Sequence, residues 1–125
     1  MTTRITLTDR EAEFMNILWE RGPCTVAEVC GHLPDDPAYT TVLTILRNLE
    51  SKGYVGATKD VRAHRYAPLI ERDAARKSAL ADLTGKLFAG SSELLMSHLI
   101  ADRKLTANDL KRIRELLAPE KRRRK

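Results

Sequence analysis

Residues 38–53 read AYTTVLTILRNLESKG, and this stretch decides the fold. Read as a helix, it separates into two faces. Val42, Ile45, Leu46 and Leu49 follow the i, i+3, i+4, i+7 spacing of a stripe that packs on a core. Thr40, Thr44, Arg47 and Ser51 lie about opposite, with Thr41 and Asn48 on one flank. That outer face offers hydroxyl and amide groups and one arginine, with no carboxylate before Glu50. Such side chains approach base edges and phosphates closely, because they bring donors and acceptors without bulk or repulsive charge. A face made only for water more often mixes Glu and Lys.

Working outward from this helix, the chain is punctuated by capping signals. Thr8 and Glu11 form a capping box that opens a first helix, running to about residue 21. Ala12, Met15, Leu18 and Trp19 make its apolar face, widened by Phe14 and Ile17. Gly22 and Pro23 end it. Thr25 and Glu28 open a second, short helix that buries Val26 and Val29, with Cys30 and Leu33 beside them. In the turn Pro34-Asp35-Asp36-Pro37, Asp36 is placed to cap the third helix, with Pro37 at its first position. Gly53 ends that helix. The period then changes from 3.6 to 2, and residues 54–58 and 65–67 read as two short strands joined by a turn. Three helices followed by a hairpin are the order of a winged helix-turn-helix. The wing brings Lys59, Arg62, His64 and Arg65, opposed only by Asp60. With Arg47 and Lys52 these make a basic patch where a phosphate backbone would run.

Beyond Pro68 the pattern is helical throughout. A fourth helix, residues 71–89, carries Leu80, Leu83, Leu87 and Phe88. Gly90-Ser91-Ser92 separates it from a fifth with Leu94, Leu95, Leu99 and Ile100. Thr106 caps a sixth, striped by Leu110, Ile113, Leu116 and Leu117 and stopped at Pro119. About fifty residues enclose a poor core alone, so these stripes are expected to be buried by a second copy of the chain. The expected fold is mainly α with a small β-hairpin. It comprises a winged helix-turn-helix DNA-binding domain (1–69), a helical dimerisation domain (70–118) and a basic tail (119–125).

Composition narrows the function. The chain has 125 residues, of which 42% are hydrophobic and only six are aromatic, so its core is aliphatic. No apolar run reaches the roughly 18 residues of a membrane helix, and the N-terminus lacks the apolar core of a signal peptide. A cytoplasmic protein without membrane insertion is expected. The net charge is +5, yet residues 1–68 hold 8 basic and 9 acidic side chains against 14 and 8 in residues 69–125. Most of the excess is the terminal KRRRK. Cys24, Cys30 and His32 are too few and too loosely spaced for zinc, and they make no C-x-x-C redox pair. His64 and His98 stand alone. With no catalytic triad, phosphate loop or paired carboxylates, neither an enzyme nor a cofactor or metal is expected.

LTDREAEFMNILW, AYTTVLTILRNLESKGYV and RAHRYAP resemble, respectively, the opening helix, the recognition helix with the first wing strand, and the second wing strand of the penicillinase repressor (BlaI/MecI/CopY) family. The resemblance spans nearly the whole chain. It implies a homodimeric repressor on a short inverted repeat of TACA/TGTA type, controlling β-lactam resistance or another stress response. By position, Thr40, Thr41 and Thr44 match residues that face bases, while Asn48 matches a phosphate contact and Arg62 the basic wing position. Arg47, Lys52 and Arg65 complete the expected DNA-binding set. Leu80, Leu83, Leu87, Leu95, Leu99, Leu110, Ile113 and Leu117 are the expected dimerisation set. Copper-sensing members carry four C-terminal cysteines that this chain lacks. In the β-lactam branch a membrane sensor metalloprotease leads to cleavage at an Asn–Phe bond, and the matching position here is His98–Leu99. Two other readings stand beside this one. One is a winged helix that docks a protein and never binds DNA, which would not need Arg47, Lys52, Arg62 and Arg65 on one side. The other is an enzyme built on Cys24 and Cys30, which lacks a base and a ligand motif.

Overall fold

The computed structural model describes residues 4–59 and 64–123. Six helices and one hairpin follow in the order α1 (Asp9–Arg21), α2 (Val26–Gly31), α3 (Tyr39–Ser51), β1 (Val55–Lys59), β2 (His64–Pro68), α4 (Arg72–Leu87), α5 (Ser92–Ala101) and α6 (Ala107–Arg123). The architecture is a mainly helical one with a winged helix-turn-helix in its first half, as the sequence leads one to expect. The chain divides into two compact units, Met1–Ala79 and Leu80–Lys125.

Local chemistry sets the helix ends. In α1 and α2 both halves of the capping box form: Thr8 and Thr25 each accept the N3 amide, while Glu11 and Glu28 accept the amides of Thr8 and Thr25. Two otherwise orphaned donors are satisfied at each start. At the end of α3, Gly53 adopts φ 83°. It donates to Glu50 O at 2.9 Å while Tyr54 donates to Leu49 O at 3.0 Å, the two bonds of a Schellman turn.

The core of the first unit forms where α1, α2, α3 and the hairpin converge. Phe14, Met15, Leu18, Val29, Val42, Leu46 and Leu49 are all fully buried. The stripe of α3 is therefore the one expected, with Ile45 only half-buried at its margin. On α1 the centre lies at Phe14 and Leu18 rather than at Trp19, and Glu11 is buried as well. The strands pair antiparallel, Val55 with Pro68 through Lys59 with His64. A third short segment joins them: Cys24 N donates to Tyr66 O at 3.0 Å, and Tyr66 N donates to Cys24 O at 2.7 Å. A single bridging residue leaves no periodic trace in a sequence. The same packing fixes the chemistry of Cys24, whose thiol is pushed up by burial and by the nearby Glu28.

Two helix boundaries differ from expectation. Asp36 does not cap α3: it sits at φ 48°, and the N-cap is Ala38, which makes no side-chain bond. The neighbouring Asp35 is drawn the other way. Its oxygens lie 2.7 and 3.2 Å from the two terminal nitrogens of Arg10 on α1, a bidentate pair. The turn is thus shaped by a contact with α1 and not by capping. At the other end of the chain, α6 continues past Pro119. The ring forfeits one bond, to the Glu115 carbonyl, and the good helix formers around it, LLA before and EKRR after, carry the helix across.

The second unit has little interior. None of the α5 side chains is buried. Leu80, Leu83, Leu87, Leu94, Ile100, Ile113, Leu116 and Leu117 are all exposed. The Phe88 and His98 rings meet edge to face, 5.2 Å between centroids.

Candidate nucleic-acid interface

The buried stripe of α3 dictates what its other face presents. With Val42, Leu46 and Leu49 inside, Thr40, Thr41, Thr44, Arg47, Asn48 and Ser51 are all exposed. The five expected contacts on α3 therefore share one solvent-facing surface. Thr44 has a further constraint, because its hydroxyl donates to Thr40 O at 2.9 Å. Toward a ligand it turns a methyl group and an acceptor oxygen, not a free donor.

The lack of a side-chain cap matters here. With alanine at the N-cap, the first amides of α3 are not occupied by a neighbouring hydroxyl or carboxylate, and a helix N-terminus favours anions. Tyr39, 56% exposed, stands in that first turn. Together with Thr25, Ala27, Leu43, Arg47, His64 and Tyr66 it lines an open cleft between α2, α3 and the wing. Tyr39 and Thr25 are absent from the expected DNA-binding set. The signal available for Tyr39 was its place in an uncharged first turn; Thr25 has none beyond its role as a cap.

Two expected contacts prove to be engaged internally. Lys52 Nζ lies 2.9 Å from both carboxylate oxygens of Glu11. Burial pushes the Glu11 carboxyl up, but the Lys52 ammonium and the Thr8 amide outweigh it and hold the group below its ordinary range. Arg65 Nη1 lies 2.9 Å from Glu28 Oε1. The Thr25 amide, then Arg65, keep that carboxyl low against a small opposing effect of burial. No ion pair involves Arg47 among the described residues. Arg62 lies outside the described residues, as do Asp60, Arg124 and Lys125 of the wing and tail. Among the described residues no group of His, Cys, Asp or Glu side chains could hold a metal ion, and no helix is long and apolar enough to cross a membrane.

A short helix, a turn and a second helix with an open polar face, backed by a two-stranded wing, define a winged helix-turn-helix protein of the DNA-binding class. The penicillinase repressor family model matches residues 7–119, and the chain belongs to that family of transcriptional repressors. It is 35% identical over 116 residues to the transcriptional regulator BlaI of Mycobacterium tuberculosis, covering 90% of this chain and 83% of the relative. It is 21% identical to the methicillin resistance regulatory protein MecI of Staphylococcus aureus, covering 89% and 92%. Among solved structures, the monomeric form of Bacillus licheniformis BlaI in complex with the blaP half-operator is similar to 59% of this chain over 93% of its own length. The TM-score is 0.50 and the identity 26%.

Proposed function

We propose that the chain represses transcription as a homodimer, each copy placing the outer face of α3 in the major groove of one half of a TACA/TGTA-like inverted repeat. The observation that carries this reading is the α3 surface: five polar groups exposed on one side, three fully buried residues on the other. Thr40, Thr41 and Thr44 read bases, and Arg47 and Asn48 hold phosphates. The exposed leucines of α4 to α6 are the dimer surface. Relatives named for BlaI and for methicillin resistance support control of β-lactam resistance or of a related stress response. Induction would then act through a membrane sensor metalloprotease and the His98–Leu99 position of α5. The protein acts in the cytoplasm, where its operator lies. A purely protein-docking winged helix is less well supported, although Lys52 and Arg65, being paired with Glu11 and Glu28, no longer argue against it.

The test is a titration on an inverted-repeat duplex and on scrambled DNA at several salt concentrations. Arg47→Ala should weaken binding to both duplexes alike and reduce the salt slope by about 0.9, one phosphate contact. Arg65→Ala should change the slope by less, since Arg65 reaches a phosphate only by leaving Glu28. Equal slopes for all variants would remove Arg47 from the phosphate contacts.

Base reading by Thr44 can be separated atom by atom. Its hydroxyl proton is spent on Thr40 O, so the group left for a thymine is the methyl. Thr44→Val, which keeps that methyl, should retain the preference for the repeat. Thr44→Ser, which loses it, should weaken cognate binding by about 1 kcal/mol, at the low end of a specific base contact, and leave scrambled binding unchanged. The reverse order would assign the reading to the hydroxyl.

A further inference from the structure

The root of α4 is fastened to the first unit at three points, none of which touches the α3 surface. Trp19 Nε1 donates to Ile70 O at 2.9 Å, just before the helix begins. The Arg72 guanidinium lies over the Trp19 ring, 5.5 Å from its centroid, with Nη2 3.1 Å from Glu20 Oε2. Two turns further on, Ser78 accepts the Ile5 amide at 2.8 Å, and its hydroxyl donates back to Ile5 O at 3.1 Å. Between these points Ala75 is buried. The N-terminal segment that Ser78 holds is fixed on its other side, where Thr6 N donates to the Tyr54 hydroxyl at 3.0 Å.

The helix does not end at the clamp. It continues to Leu87, roughly 13 Å beyond Ser78 at 1.5 Å per residue. Its far part carries Leu80, Leu83 and Leu87, all exposed. A helix held at one end by side-chain and backbone bonds leaves in one direction, and any freedom at the root is magnified along its length. For a dimer that grips two half-sites, that direction matters. One base pair added between the half-sites displaces them by about 3.4 Å and rotates one against the other by about 35°.

We propose that Trp19 and Ser78 are positioning residues that fix the direction in which α4 leaves the DNA-binding unit, and so set the half-site spacing that the dimer accepts. This rests on the dimeric repressor reading above. The clamp contributes nothing to the recognition of a single half-site. Its effect appears only when two half-sites must be met at once.

The experiment uses the full-length protein with inverted-repeat duplexes, TACA and TGTA separated by a spacer lengthened one base pair at a time, and a duplex with one half-site. Wild type should bind its preferred spacing at least about tenfold more tightly than the spacings on either side, comparable to the loss for a mismatched base pair. Ser78→Ala, which removes both bonds to Ile5, should flatten that preference to within about threefold. Trp19→Phe, which keeps a ring under Arg72 but loses the bond to Ile70, should act in the same direction. Ser78→Thr keeps the hydroxyl and should keep the profile. Binding to the single half-site should be unchanged in all three. A wild-type profile in both Ser78→Ala and Trp19→Phe would overturn the proposal, as would a parallel loss on the single half-site. A wild-type protein that sediments as a monomer, or that ignores the repeat altogether, would instead overturn the dimeric reading on which it rests.

Discussion

Leu117→Glu should convert the protein from a dimer to a monomer and weaken its binding to a two-half-site operator by about 10²- to 10⁴-fold, the avidity lost when the second contact is no longer intramolecular. The expectation follows from a mismatch between sequence and burial. Leu117 is 60% exposed and the adjacent Leu116 is 74% exposed, on a helix whose stripe also includes Ile113. If that face met only water, a glutamate there would be a surface change worth no more than about 0.5 kcal/mol. If a second copy covers it, each dimer buries two carboxylates in an apolar contact, and an unpaired charge in such a place is strongly unfavourable. Sedimentation decides between the two. Wild type should run at about twice 14.1 kDa and the variant near 14.1 kDa. The melting temperature of wild type should rise with concentration while that of the variant does not. A variant that still dimerises would move the interface off α6.

Glu11→Ala should be the most destabilising single change on the polar side of the first unit. The carboxylate is buried and accepts from two places at once: Thr8 N at 2.9 Å, closing the capping box, and Lys52 Nζ at 2.9 Å. Removing it opens the start of α1 and detaches the end of α3. A hydrogen bond to a charged group is worth about 1.5–3 kcal/mol and a lost cap about 1. Lys52 is 41% exposed and recovers part of this through water. A net loss of about 2–3 kcal/mol lowers the melting temperature by roughly 10 °C or more in a unit of this size. The same contact predicts a pH dependence. The folded carboxyl titrates below its ordinary value, so the unfolded chain binds the proton more readily. The contribution is complete above the unfolded value of about 4.3 and disappears as the pH falls through the folded one. Wild type should therefore lose more stability than Glu11→Gln on acidification below about pH 4.3. Parallel curves for the two would place the acid sensitivity elsewhere.

Much of the fold is written locally. The boxes Thr8/Glu11 and Thr25/Glu28 and the glycine at 53 act within four residues of themselves, and the structure forms each as read. The α3 stripe is equally legible, because a helix that buries Val42, Leu46 and Leu49 has no choice about where Thr40, Thr44 and Arg47 point. The polar face of the candidate interface is therefore a property of the sequence.

What could not be read there depends on partners far along the chain. Asp35 and Asp36 look alike as caps; only the approach of Arg10, twenty-five positions away, takes Asp35 out of that role. Lys52 and Arg65 count equally with Arg47 in a charge tally, yet their charges are balanced by Glu11 and Glu28, forty-one and thirty-seven positions distant. The anchoring of α4 through Ser78 joins groups seventy-three positions apart. By itself the sequence determined which elements form and which face of each is apolar, because propensity, capping and periodicity are short-range. Only the tertiary structure decided which charges remain free for a ligand and how α4 is fastened, because an ion pair or a clamp exists only once the fold has brought its two halves within about 3 Å of each other.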